Sequence, residues 1–179
     1  MHARADGRNR APAWNGRDKA RKIRVGQRHR HKLDQIRNSL QAGEIEEADS
    51  MLGYQYQLYG VVVSGNRLGH TIGFPTANMQ LYEPLKLIPG NGVYLVKVET
   101  LGRVYDGMCN IGVRPTLGSG NALTVETNIF DFNEDIYGLD IRISFVSKIR
   151  NEVKFNDFSV LASQLEKDRE HCRILLREK

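Results

Sequence analysis

Gly92-Val-Tyr-Leu-Val-Lys-Val-Glu-Thr100-Leu-Gly-Arg103-Val-Tyr-Asp-Gly-Met-Cys-Asn-Ile111 decides the fold class. Side chains alternate across an extended chain, so Tyr94, Val96 and Val98 fall on one face. β-Branched and aromatic residues of this kind suit a pleated, half-buried surface. Leu101-Gly102 supplies turn chemistry between the two runs. Strands this close in sequence pair antiparallel, because a parallel crossover needs a dozen or more connecting residues. Working outward, Tyr54–Val63, Leu123–Phe132 and Leu139–Ser147 have the same character. Gly-Ser-Gly-Asn and Asn-Glu-Asp turns separate the later runs. Many short strands with Gly-rich turns predict a small barrel or sandwich, and we read a β-barrel.

Helical signals flank the strands. Phe158, Leu161, Leu165, Cys172 and Leu175 recur at three-to-four-residue spacing, with Asp168 interrupting the apolar face once. Asn156 or Asp157 is placed to cap this terminal packing helix. Upstream, Ile36, Leu40 and Ile45 share a helical face, Gly43 is a stop signal, and Glu44–Leu52 resumes a short helix before Gly53. The organisation expected is a basic tail over 1–33, a helical linker over 34–53 and a barrel domain over 54–179.

Charge supports that division. The chain has 179 residues, 26 Lys+Arg, 21 Asp+Glu and a formal charge of +5. Eleven of the basic residues and only two of the acidic ones lie within 1–33, so the tail carries +9 and the remainder −4. The tail has no hydrophobic period and reads as disordered or as a weak helix, binding polyanions non-specifically. No apolar run approaches the ~20 residues of a membrane span, and the basic N-terminus lacks the apolar stretch of a secretory signal. Cys109 and Cys172 are the only cysteines, without CxxC spacing, which argues against a disulfide framework or zinc cluster. A cytoplasmic protein is expected.

The chemistry concentrates in Ser64-Gly-Asn-Arg-Leu-Gly-His-Thr-Ile-Gly-Phe-Pro-Thr-Ala-Asn78. Gly65, Gly69 and Gly73 follow a strand at four-residue intervals, and glycine lets successive N–H groups turn toward one anion. The spacing is neither a Walker A loop nor a dinucleotide fingerprint; a wide turn is the commoner explanation of spaced glycines alone. Pro75 biases Phe74 toward extended backbone. Thr76 and Asn78 then point the same way, a neutral oxygen pair suited to Mg²⁺ that also holds phosphate oxygens. In the run Thr124–Phe130, alternation places Glu126 on one strand face with Thr124, Asn128 and Phe130. A carboxylate inside an apolar strand is exposed, paired or functional, and the functional reading is a general base for an alcohol.

Together these residues resemble riboflavin kinase. The glycines and Phe74-Pro-Thr-Ala-Asn78, then Asn110-Ile-Gly112 with Arg114-Pro-Thr116, Glu126–Phe132, Tyr137-Gly138 and Arg150–Phe155 occur in the family's order. The resemblance runs from about Tyr54 to the C-terminus. It implies a six-stranded antiparallel barrel transferring the γ-phosphoryl of ATP to the 5′-hydroxyl of riboflavin, giving FMN and ADP. Gly65, Gly69, Gly73, Phe74 and Pro75 would cover the nucleotide phosphates, with Thr76 and Asn78 binding Mg²⁺. Glu126 would accept the hydroxyl proton. Arg150, Glu152 and Phe155 would lie in a loop near the flavin. No membrane and no obligate protein partner are implied. Two departures stand out: His70 where relatives often have Arg, and Asn128 where His often follows the catalytic Glu.

In bacteria this module usually forms the C-terminal half of an enzyme that also adenylylates FMN to FAD. Ile36–Ala48 resembles the helical connection between the halves, and residues 1–33 are too short and too polar for a nucleotide-binding α/β domain. They read as a junction, a start-site artefact or a shifted reading frame ahead of a truncated enzyme. Two other functions stay open on sequence alone: a non-catalytic flavin- or nucleotide-binding module, and a nucleic-acid-binding barrel using the basic arm.

Overall fold

A computed structural model describes residues 30–65, 69, 73–116, 120–155 and 157–178. The chain divides into two compact units, Met1–Asp34 and Gln35–Lys179. Most of the expected tail, His70 and Asn156 lie outside the described residues, as do the side chains of Arg114, Pro115 and Thr116.

Six strands form a closed barrel: β1 (Gln57–Val63), β2 (Ala77–Leu81), β3 (Gly92–Thr100), β4 (Arg103–Thr116), β5 (Gly120–Ile129) and β6 (Asp140–Arg150). Around the wall the order is β1-β2-β5-β4-β3-β6, every pair antiparallel. Closure leaves no edge strand, which removes the row of unpaired backbone groups that an open sheet exposes. The β3–β4 hairpin pairs from Thr100↔Arg103 to Gly92↔Ile111, and Leu101 and Gly102 make its turn with positive φ.

Alternation sorts side chains between two hydrophobic clusters. Tyr94, Val96, Val98, Ile111, Ile143 and Phe145 meet inside the barrel. Val93, Leu95, Met108, Phe130 and Val146 point outward, where they pack against Cys172, Leu165 and Leu175 of a long helix. That helix (α3, Phe158–Arg177) is capped by Asp157, whose carboxylate accepts the Ser159 N–H at 2.6 Å. Membership of this outer cluster explains why β3 is buried on both faces.

The helical connection packs on the barrel too. A helix over residues 30–42 (α1) begins within the basic segment. It ends at Gly43 (φ +80°), before α2 (Ile45–Leu52) and its left-handed Gly53 cap. Ile36, Leu40, Ile45 and Ala48 join the interior cluster. Gly90 N–H donates to the Leu40 carbonyl at 2.9 Å, and Lys148 Nζ to the Ala42 carbonyl at 3.2 Å. A side chain at Gly90 would collide with the Gln41 carbonyl, so close approach of the helix end requires glycine there.

Strand bounds differ from expectation in physically sensible ways. The pattern places a strand at Tyr54–Val63, but pairing starts at Gln57 because Tyr56 N–H is taken by the Asp49 carboxylate at 2.7 Å. β5 ends at Ile129 and not at Phe132, because the chain turns off through Asp131, which has φ +52°.

Candidate active site

Glu126 sits between two asparagines: Asn78 pairs with it from β2, and Asn110 from β4. The row continues through Val93 to Arg150 at the end of β6. Cross-strand partners project to the same face, and Val93 belongs to the outer cluster. Asn78, Glu126 and Asn110 therefore stand on the barrel's outer wall, half-buried. Their strand neighbours Met79, Val125 and Ile111 fill the interior.

Of the glycines, Gly65 approaches this row and Gly69 the Phe74–Thr76 stretch beside it. A side chain at Gly65 would run into the Asn78 carboxamide, and one at Gly69 into the Phe74 carbonyl, 3.4 Å from Thr76 Cγ2. Phe74 N–H closes the loop by donating to the Gly69 carbonyl at 2.8 Å. Gly73 has open space around it but a φ of +80°, so conformation rather than room demands glycine. Phe74 is buried in the outer cluster beneath the Arg169 guanidinium, 5.1 Å from its ring centre. Asn128, two residues beyond Glu126 on the same face, donates to the Pro75 carbonyl at 2.7 Å. Thr76 is thus held from both sides, by buried Phe74 before it and by strand β2 after it.

A cavity of about 590 Å³ opens beside Thr76. Thr76, Ala77, Ile129, Phe132, Ile136 and Tyr137 contribute to its wall. Its outer lip is the 132–137 loop, which the Asp135 carboxylate shapes by accepting the Tyr137 N–H at 3.1 Å. This volume lies in the range of small-molecule sites.

Beyond Asn110 lies a second carboxylate. Glu152 accepts from Asn91 Nδ2 at 3.0 Å, and a side chain at Gly112 would strike it while approaching Asn110 Nδ2 at 3.2 Å. Arg150 turns toward α3, where Asp168 takes its guanidinium in a fork: Nε at 3.0 and 2.9 Å, Nη2 at 2.7 Å. Phe155 lies under the same guanidinium, 5.9 Å away.

The nearest buried nucleophile, Cys109, faces inward, and burial pushes its thiol up to about 12. It stays protonated and inert at neutral pH. Among the described residues, no three His, Cys, Asp or Glu side chains converge as a metal site. Asn78 offers a neutral oxygen beside the Glu126 carboxylate and Thr76 another at the cavity mouth, donors that suit Mg²⁺ because this ion keeps several waters and takes phosphate oxygens rather than an all-protein cage.

Sequence reasoning located the glycines, Thr76, Asn78 and Glu126, which the fold brings together, and Arg150, Glu152 and Phe155, which lie past Asn110. It assigned no role to Asn91, Asn110 or the 132–137 loop. The one signal pointing to Asp168 was its interruption of an apolar helix face.

A closed antiparallel barrel with its polar row on the outer wall, under a glycine-rich loop, defines a flavokinase-type barrel. The family model for riboflavin kinase (Flavokinase) matches residues 52–176, and the chain belongs to that family. The bifunctional riboflavin kinase/FMN adenylyltransferase of Bacillus subtilis is 44% identical over 139 residues, covering 76% of this chain and 44% of its own length. The protein of the same name from Haemophilus influenzae is 43% identical over 139 residues, 77% of this chain and 44% of its own. A solved Streptococcus pneumoniae structure, described as a macrolide-efflux protein, superposes with a TM-score of 0.73 at 38% identity, over 78% of this chain and 45% of that one. The chain thus spans less than half the length of the curated relatives it matches. Among its described residues, no helix is long and apolar enough to cross a membrane.

Proposed function

We propose that this chain phosphorylates riboflavin, with Glu126 as general base. The observation that carries the reading is the register Asn78–Glu126–Asn110, a carboxylate flanked by two carboxamides; we read the Asn78 side as the nucleotide side and the Asn110 side as the acceptor side. On the nucleotide side, the cavity beside Thr76 would take the nucleoside, with Gly65 and Gly69 leaving room for the phosphates near Asn78 and Thr76. On the acceptor side, the Glu152 loop borders the flavin and its ribityl chain.

The 5′-hydroxyl oxygen of riboflavin attacks the γ-phosphorus of ATP while the bond from that phosphorus to the bridging oxygen breaks. ADP leaves, and the hydroxyl proton passes to the Glu126 carboxylate. Thr76 and Asn78 would hold Mg²⁺ against the phosphates, and the ion supplies neutralisation of their charge. The remaining work of the chain is alignment, which is worth several powers of ten when reacting atoms are fixed in line. Asn128 contributes by fixing Pro75, the residue before Thr76.

Purified protein given riboflavin, ATP and Mg²⁺ should form FMN and ADP in equal amounts, with FMN and FAD scored separately. Binding of flavin or nucleotide without turnover would instead select a non-catalytic module.

A further inference from the structure

We propose that Asp168 on α3 is a positioning residue for the acceptor side of the site, acting through Arg150 on the 151–155 loop. The inference rests on the function proposed above and goes further by tying the terminal helix to one substrate.

Asp168 is 3% exposed and is the only charged side chain among the buried residues described. It occupies a position where the period of α3 calls for an apolar residue, between Leu165 and Cys172. An unpaired carboxylate there would be strongly unfavourable. Both its oxygens accept from Arg150, and Gln164, one turn earlier, donates to Oδ1 at 2.8 Å. Well-packed apolar residues at such positions are often as stable as the ion pair. Stability alone therefore does not account for an acid at this point.

Arg150 is built to transmit the restraint. It closes the row that contains Glu126, and the β3–β6 register shifts beside it, Val93 facing Arg150 but Tyr94 facing Lys148. That bulge, which leaves Ile149 unmatched, re-aims the strand end. Nη1 of Arg150 donates to the Asn151 carbonyl at 3.0 Å, and Phe155 lies against its guanidinium. One planar cation thus joins the strand end, both ends of the following loop and the helix. Between those ends, Glu152 reaches Asn91 and the edge of Gly112, next to Asn110 and hence to Glu126. The cavity proposed for the nucleotide is lined from β1, β2, β5 and the 132–137 loop, which take no part in these Glu152 contacts, so loosening this loop should be felt by the acceptor alcohol and not by ATP.

Asp168→Asn keeps the shape and removes the charge; Arg150→Lys keeps a cation and removes the fork. Each should raise the KM for riboflavin about tenfold while the KM for ATP changes less than twofold. Each should also speed tryptic cleavage after exposed Lys154 in the ligand-free protein. In an Glu152→Gln background, Asp168→Asn should add little further loss, because both act through one loop. Equal rises in both KM values, or fully additive losses in the double variant, would overturn the proposal, as would a loosened loop with normal riboflavin KM. A wild-type chain that makes no FMN would remove the acceptor role together with the function beneath it. Should Asp168→Asn fail to fold, Arg150→Lys decides by the same split.

Discussion

The two faces of β5 differ in what they are for. Val125, Thr127 and Ile129 point inward, where Val125 and Ile129 join the barrel's core cluster and Thr127 is wholly buried. Glu126 and Asn128 point outward, one to the polar row and the other to the Pro75 carbonyl. A strand of ten residues thus carries the polar row on its outer face, while its inner face serves the core and, at Thr127 and Ile129, the wall of the cavity. It follows that substitutions on the two faces should separate activity from folding.

Glu126→Gln should show the largest effect, a fall in kcat of about 10²–10⁴-fold, the usual worth of a general base. Its unfolding free energy should fall by no more than about 1 kcal/mol in a denaturant titration, the amide keeping the shape of a side chain that lies outside the core. Phe145→Ala should do the reverse. Phe145 is fully buried and packs edge-on against Tyr94 at 5.3 Å. Removing the ring should destabilise the fold by about 3–5 kcal/mol, while turnover per folded molecule, measured below the melting transition, stays near wild type. If the inner-face change lowered kcat without lowering stability, the separation of faces would be wrong.

Asn128→Ala tests the middle ground. Its bond to Pro75 contributes little to stability, about 1 kcal/mol, because Pro75 is exposed and water can replace the donor. Its worth lies in placing Thr76. The variant should lose about tenfold in kcat/KM for ATP, as small misplacements in an alignment-dependent site do, with riboflavin KM nearly unchanged. Steady-state kinetics with each substrate varied in turn checks this.

Much of this arrangement was legible in the chain itself. Alternation in Gly92–Ile111 predicted the hairpin, and the parity of Glu126 with Asn128 and Phe130 predicted the shared face. The terminal helix and its Asp157 cap were also readable. β2 was not read as a strand: Ala77-Asn-Met-Gln-Leu81 has no β-branched residue and follows a proline. It forms because β1 and β5 both pair with it, a tertiary effect that local propensity does not carry. Register was equally invisible. Residues 78, 110 and 126 become neighbours only once the order β2-β5-β4 is set, and no spacing in the sequence announces it. The Arg150–Asp168 pair spans a strand end and a helix, so only its burial explains an acid on an apolar face.

The smallest effect expected lies on a third surface, the outer wall of β1 and β6 away from Glu126. There the hydroxyls of Tyr59 and Tyr82 both donate to the Asp140 carboxylate, Tyr59 at 2.9 Å, and the two rings meet edge-on at 5.0 Å. The hydrogen bond from Tyr82, then that from Tyr59, holds the Asp140 carboxyl below its ordinary value. The same bond pushes Tyr82 up from 10.0 to about 12. A lowered carboxyl contributes stability above its unfolded value of about 4, and that contribution is lost as pH falls through the folded value. A raised phenol contributes below 10.0, and its share is lost as pH rises toward about 12. The Tm difference between wild type and Tyr82→Phe should therefore be small and flat from about pH 5 to 9, shrinking on either side. Because all three groups are exposed, salt should reduce it further, whereas the loss from Phe145→Ala should not depend on salt. A Tyr82→Phe difference that grew in acid, or that matched the Phe145→Ala loss, would mean that this outer surface supports the core directly.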